Sequence, residues 1–155
     1  GPLMVGGSYY VLAGEWSWSV TWLSLVFALG PTTVLFGKHT DKLEADRSKG
    51  VNTLPVMLGE QRARHWVVAM IVAQYLLSVA LVVSGSFGWP LLLVLANLPR
   101  LPALFTVFDQ AKPGARPADY PAEVWPLWFS AQAFRHTRHF TSLFLLGIVV
   151  DTLLS

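Results

Sequence analysis

The sequence predicts an all-α, polytopic transmembrane helix bundle, and three observations carry that prediction. Of 155 residues, 54% are hydrophobic and 13% charged, where a soluble domain carries about 25% charged residues. Mean hydropathy is +0.50. Uncharged runs long enough to cross roughly 30 Å of hydrocarbon recur along the chain, separated by polar stretches. Cysteine is absent, which excludes a disulfide framework. The formal net charge of +2 is too small to point to a nucleic-acid partner. No Arg-rich n-region or small-residue cleavage site marks the opening residues as a signal peptide.

Residues 1–14 are apolar, but as a helix they reach only about 21 Å, so they predict part of a span. Trp16 and Trp18 lie at the following turn, and 16–36 forms the first full span. Gly30-Pro31 should kink it, because proline removes a backbone donor and crowds the preceding turn. Residues 37–62 form a charged loop. The next spans are 66–87 and 89–108, joined by a Gly-rich turn without Lys or Arg, and Pro99 and Pro102 break the second of them. Residues 109–139 form a polar, Pro-rich connection whose apolar part, 124–134, is too short to cross. Residues 140–155 form the last, short span, with Asp151 at its interfacial end. The charged loop, together with Arg64 at the membrane entry that follows it, and the 109–139 connection lie on one side and hold ten of the eleven Lys and Arg. The positive-inside rule therefore places both in the cytoplasm. Trp16, Trp18 and Trp89 then form an outer aromatic belt, and Trp66, Trp125 and Trp128 an inner one.

The charged loop is the chemically dense part. Asp41, Glu44 and Asp46 are interleaved with Lys38, Lys42, Arg47 and Lys49, with His39 among them, and Gly50, Asn52, Thr53 and Pro55 turn the chain afterwards. Acids this close suit a hard cation such as Mg²⁺, which takes one or two carboxylates plus substrate phosphate oxygens and water. The neighbouring cations would take the remaining phosphate charge. Mixed-charge runs between spans are also commonly solvated loops, and that reading stands beside the first. Asp41 and Glu44 share a helix face, whereas Asp46, two residues beyond Glu44, does not. Arg100 is the one base inside a span. It either lines a polar cavity that receives an anionic substrate or snorkels from a broken helix. His136, Arg138 and His139 sit at a membrane entry, as anchors or, for His136 and Arg138, as substrate contacts.

The run Asp46-Arg47-Ser48-Lys49-Gly50-Val51-Asn52-Thr53-Leu54-Pro55-Val56, followed by Leu58-Gly59, resembles the second aspartate-rich motif of the UbiA superfamily of intramembrane prenyltransferases. Gly1–Val11 is similar to a stretch of the menaquinone-branch members. Trp125–Phe129 with Phe134-Arg135-His136-x-Arg138 resembles the C-terminal region of actinobacterial-type members. Many members carry an Asp four residues before the Asp-Arg pair, and here that position is Lys42.

The resemblance implies the C-terminal five helices of a nine-helix bundle in a membrane, expected to be the bacterial cytoplasmic membrane. It implies Mg²⁺ held by two of Asp41, Glu44 and Asp46, leaving open which two, and a prenyl diphosphate contacted by Arg47, Lys49, Lys42 and Lys38. Arg100, His136 and Arg138 are further substrate-contact candidates. The acceptor would be aromatic and quinone-precursor-like. The family's first motif, Asn-Asp-x-x-Asp, does not occur, so a missing N-terminal half or a second copy would have to complete the site, and the 155 residues alone would be inactive. The contrasting reading is a small non-catalytic membrane protein, a scaffold or transporter part, with a solvated linker.

Overall fold

Four long helices form the body of the protein in the computed structural model, which describes residues 1–154. α1 (Pro2–Ala13) packs against α2 (Trp18–Asp41); α3 (Leu43–Ser48) and α4 (Leu54–Leu58) are short; α5 is Glu60–Val83. A 3₁₀ segment, Trp89–Arg100, continues into α6 (Leu101–Asp109), and α7 is Phe129–Leu154. No strand occurs among the described residues. α2, α5, the 3₁₀ segment with α6, and α7 are each long and apolar enough to cross a membrane. The chain is an integral membrane protein.

Several expected boundaries move. The first full span runs to Asp41, so Lys38, His39 and Asp41 close a helix. Ser17 caps its start by accepting from the Val20 N–H. The helix also passes through Pro31 without interruption. The Gly30 carbonyl just before it accepts from the hydroxyls of Thr33 (2.6 Å) and Thr137 (3.2 Å). The charged loop is not one loop: it holds α3 and α4, and the next span begins at Glu60. The last span begins at Phe129, eleven residues earlier than the sequence suggested, so the expected polar connection 135–139 forms turns of α7. Ser155, where that span was expected to end, lies outside the described residues.

The third span changes helix type instead of simply breaking. In a 3₁₀ helix, side chains three apart eclipse one another, and Leu91, Val94 and Asn97 are accordingly all buried. At about 2.0 Å per residue the 3₁₀ part alone covers about 24 Å. Proline at 99 and 102 deprives the junction of two backbone donors, and α6 takes over at Leu101.

Packing between the long helices depends on close backbone approach, as expected where lipid is as apolar as the helix faces and tight contact drives association. Gly30 and Gly37, two turns apart, form the face of α2 that meets α7. A Cβ at Gly37 would stand 2.8 Å from the Ser130 nitrogen, and one at Gly147 would stand 2.7 Å from the Pro90 carbonyl oxygen. Gln74 ties α5 to α2 by donating to the Val26 carbonyl at 3.1 Å. The apolar core includes Val26, Val67, Ile71, Leu91, Val94, Phe108, Phe129, Phe140 and Phe144. Trp18, Trp66 and Trp89 are exposed, as residues of interfacial belts should be.

Gly37→Ala should therefore lower thermal stability in detergent by about 1–3 kcal/mol, because backbone and not a flexible side chain must give way. Gly7→Ala, whose new Cβ has no neighbour within 4 Å, should leave the melting temperature unchanged or slightly raised.

Candidate functional site

The segment from α2 to α5 folds by local rules that sort its residues into scaffold and chemistry. α3 ends in a Schellman motif: the Val51 N–H bonds the Asp46 carbonyl (2.9 Å) and the Gly50 N–H bonds the Arg47 carbonyl (3.1 Å). That closure places Gly50 at φ +68°, a left-handed conformation that costs other residues about 1–2 kcal/mol. Thr53 then caps α4 by accepting from the Val56 N–H at 3.4 Å, with Pro55 in the first turn, where its missing N–H costs nothing. Gly50, Thr53 and Pro55 thus shape the turn, which leaves Asp46, Arg47 and the lysines for chemistry.

Asp46 accepts from His39 Nδ1 at 3.1 Å and is mostly buried. This pair folds α3 back onto the last turn of α2. Arg47 reaches Glu44 at 3.2 Å, an exposed pair worth little to stability. Lys38, Lys42 and Lys49 are exposed and make no ion pair among the described residues. The result is a cation-rich patch around one well-placed carboxylate.

Asp41 does something different. Its side chain is wholly buried, and its two oxygens accept from the Phe129 (3.0 Å) and Ser130 (2.9 Å) N–H groups. It therefore caps the start of α7. Lys112 donates to the Asp41 carbonyl at 3.2 Å and stands 3.6 Å from its carboxylate. Tyr120 in the same loop donates to the Leu127 carbonyl, and burial, with the Asp41 charge second, raises its phenol pKa above the usual value. Arg64, expected only as a membrane-entry marker, is buried. It donates to the Phe108 carbonyl at 3.0 Å and lies over the Phe129 ring.

The three acids expected to share a metal consequently do not converge. Asp41 serves α7, Glu44 pairs with Arg47, and Asp46 pairs with His39. No group of three or more His, Asp or Glu able to hold a metal ion occurs among the described residues, so the three acids do not together form one Mg²⁺ site.

Arg100 and His136 do come together. With Asn97, Arg135 and His139 they line a cleft of about 380 Å³ between the 3₁₀–α6 junction and α7. His136 is buried. Arg138 is exposed on α7 and does not line the cleft. Tyr75 and Asn97, polar residues within spans, were passed over because the spans were read only for charge; their depth in an apolar run was the available signal.

A model of the UbiA prenyltransferase family matches residues 1–127, and the chain belongs to that family. It is 27% identical over 99 residues to 2-carboxy-1,4-naphthoquinone phytyltransferase of Synechocystis sp., a match covering 64% of this chain and 32% of that protein. It is 34% identical over 58 residues to digeranylgeranylglyceryl phosphate synthase of Natronomonas pharaonis, covering 37% of this chain and 21% of that one. The chain thus spans a third or less of the length of these relatives in the matches. No solved structure matches it.

Removing the Asp41 carboxylate should loosen α7. Asp41→Ala is expected to cost about 0.5–2 kcal/mol, the range for a lost N-cap, read as a lower melting temperature. Asp46→Ala, which releases only His39, should melt close to the parent protein.

Proposed function

We propose that this chain forms the diphosphate-binding wall of an intramembrane prenyltransferase acting on a quinone-precursor-like aromatic acceptor. One observation carries the reading: the turn chemistry of Gly50, Thr53 and Pro55 closes a short segment that carries Asp46 and Arg47 between the unpaired Lys38 and Lys42 at the end of α2 and the unpaired Lys49 at the end of α3. In such a transfer, the bond between the allylic carbon and the diphosphate oxygen breaks, with both electrons going to the leaving group. An acceptor carbon forms the new bond and loses its proton. Arg47, with a planar fork suited to two phosphate oxygens, and Lys38, Lys42 and Lys49 offset the charge that develops on the diphosphate. Apolar walls keep water from the cation.

Family membership supports the prenyl donor. The longer of the two matches, to a protein named for a carboxynaphthoquinone, favours an aromatic acceptor over the glyceryl phosphate named in the other. A Mg²⁺ requirement belongs to the proposal as a demand for further carboxylates beside Asp46 and Glu44, supplied by additional chain or by a second copy; the 155 residues alone should form no product. The one-sided distribution of Lys and Arg supports a cytoplasmic position for α3 and α4 in a bacterial inner membrane.

The test is turnover of the complete protein with a prenyl diphosphate and a dihydroxynaphthoate, read as prenylated product by mass. Asp46→Ala should nearly abolish product while leaving membrane insertion intact, and full activity in that variant would return the segment to a solvated linker. Arg47→Gln should weaken prenyl diphosphate binding more than acceptor binding, and Arg47→Lys should recover it only in part.

A further inference from the structure

The cleft between the 3₁₀–α6 junction and α7 is backed by a chain of buried hydrogen bonds that can run in only one direction. Arg100 has donors only, so its 3.2 Å contact with Asn97 fixes the Asn97 oxygen as acceptor. The Asn97 amide nitrogen must then donate to the Tyr75 oxygen at 3.2 Å. Tyr75 stands 3.0 Å from His136 Nε2. If Nε2 carried the proton, the Tyr75 hydrogen and the His136 Nδ1 lone pair would both be buried without partners. With Tyr75 donating to Nε2, only one group is left over, the Nδ1–H of His136. Nδ1 is indeed buried with no partner among the described residues. Orphaned buried donors are rare and costly, and this one lies on a residue that lines a cleft together with Arg100 and Arg135.

We propose that this cleft is a ligand subsite separate from the diphosphate patch, and that it takes the anionic oxygen headgroup of the aromatic acceptor. The Arg100 guanidinium and the His136 Nδ1–H are the donors, and Asn97 and Tyr75 are positioning residues that hold His136 in the donor tautomer. A carboxylate has the acceptor-only chemistry that such donors match, and the apolar part of the ligand would lie against Leu104 and Ala103. α7 lies beyond the residues matched by the family model, so the subsite rests on the geometry. The choice of ligand rests on the prenyltransferase reading. A lipid phosphate would offer the same oxygen chemistry from a different source.

The experiment uses the complete protein in nanodiscs of phosphatidylcholine, with and without phosphatidylglycerol, titrated with 2-naphthoate and with 2-methylnaphthalene. Binding is followed by tryptophan fluorescence. 2-Naphthoate should bind and its neutral counterpart should not. Arg100→Gln and His136→Phe should weaken 2-naphthoate about tenfold, the scale of a lost hydrogen bond to a charged group. His136→Gln, which keeps a donor, should recover much of the loss, and Tyr75→Phe should show a smaller loss. In turnover, Arg100→Gln should raise the acceptor KM and leave that of the prenyl diphosphate unchanged. Should His136→Phe fail to fold, Arg100→Gln, at the exposed rim, decides alone. Unchanged naphthoate affinity in Arg100→Gln, or an equal rise in both KM values, overturns the proposal. So does displacement of naphthoate by phosphatidylglycerol with the acceptor KM unmoved, which would assign the cleft to lipid. Arg100-dependent naphthoate binding in a protein that makes no prenylated product would keep the subsite and remove the transferase reading instead.

Discussion

The buried carboxylate of Asp41 is the interaction on which the rest of the arrangement depends. It stands at the C-terminus of α2, where that helix's own dipole opposes a negative charge, and at the N-terminus of α7, where the dipole favours one. Burying an ion costs several kcal/mol unless its oxygens are satisfied. The Phe129 and Ser130 N–H groups satisfy both oxygens, and Lys112 adds a positive charge 3.6 Å away. One side chain thus fixes where α7 begins, how close it lies to α2, and where the 110–128 connection is held. The glycine at position 37 makes the geometry possible, since any side chain there would push the Phe129–Ser130 backbone out of reach.

Fixing the start of α7 also fixes its register. Ser130 and Thr137 turn towards α2, whereas His136, Phe140 and Phe144 turn towards α5 and the 3₁₀ segment. The Tyr75 ring packs edge-on against Phe140 with centroids 5.1 Å apart, which holds the Tyr75 hydroxyl beside His136. A carboxylate at one membrane face therefore determines which polar groups meet deeper in the bundle.

What could be read from the sequence was local, and what could not was distant. The Asp46–Pro55 turn needs residues only a few positions apart, so Gly50, Thr53 and Pro55 announced their conformations. The apolar runs announced the spans. Asp41 meets partners 88 and 89 residues away, and nothing in an acidic cluster says that one member is to be spent on another helix. The start of α7 was missed for a related reason. Arg135, Arg138 and His139 read as a polar connection, yet they fall on exposed or half-buried faces of a helix whose intervening positions, Ala133, His136 and Phe140, are buried. Charge density hid the helical period.

The 3₁₀ segment explains why the polar chain through Asn97 exists at all. In an α-helix, residues three apart are offset by 60° around the axis, given 3.6 residues per turn; in a 3₁₀ helix they superimpose. Leu91, Val94, Asn97 and Arg100 therefore form one vertical row, with two apolar members buried against the core before Asn97. Arg100 lies directly beyond Asn97 on that row, close enough to donate to its side chain. The two prolines that deprive the junction of backbone donors end the row at this point, where the guanidinium leaves the core for the cleft. An α-helical version would turn each member about 60° from the one before, so that Asn97 would leave the buried face it shares with Leu91 and Val94 and lose its place beside Tyr75. The tautomer of His136 would then lose its anchor. The helix type thus links the guanidinium at the rim, through Asn97 and Tyr75, to the orientation of His136, a residue that lines the same cleft.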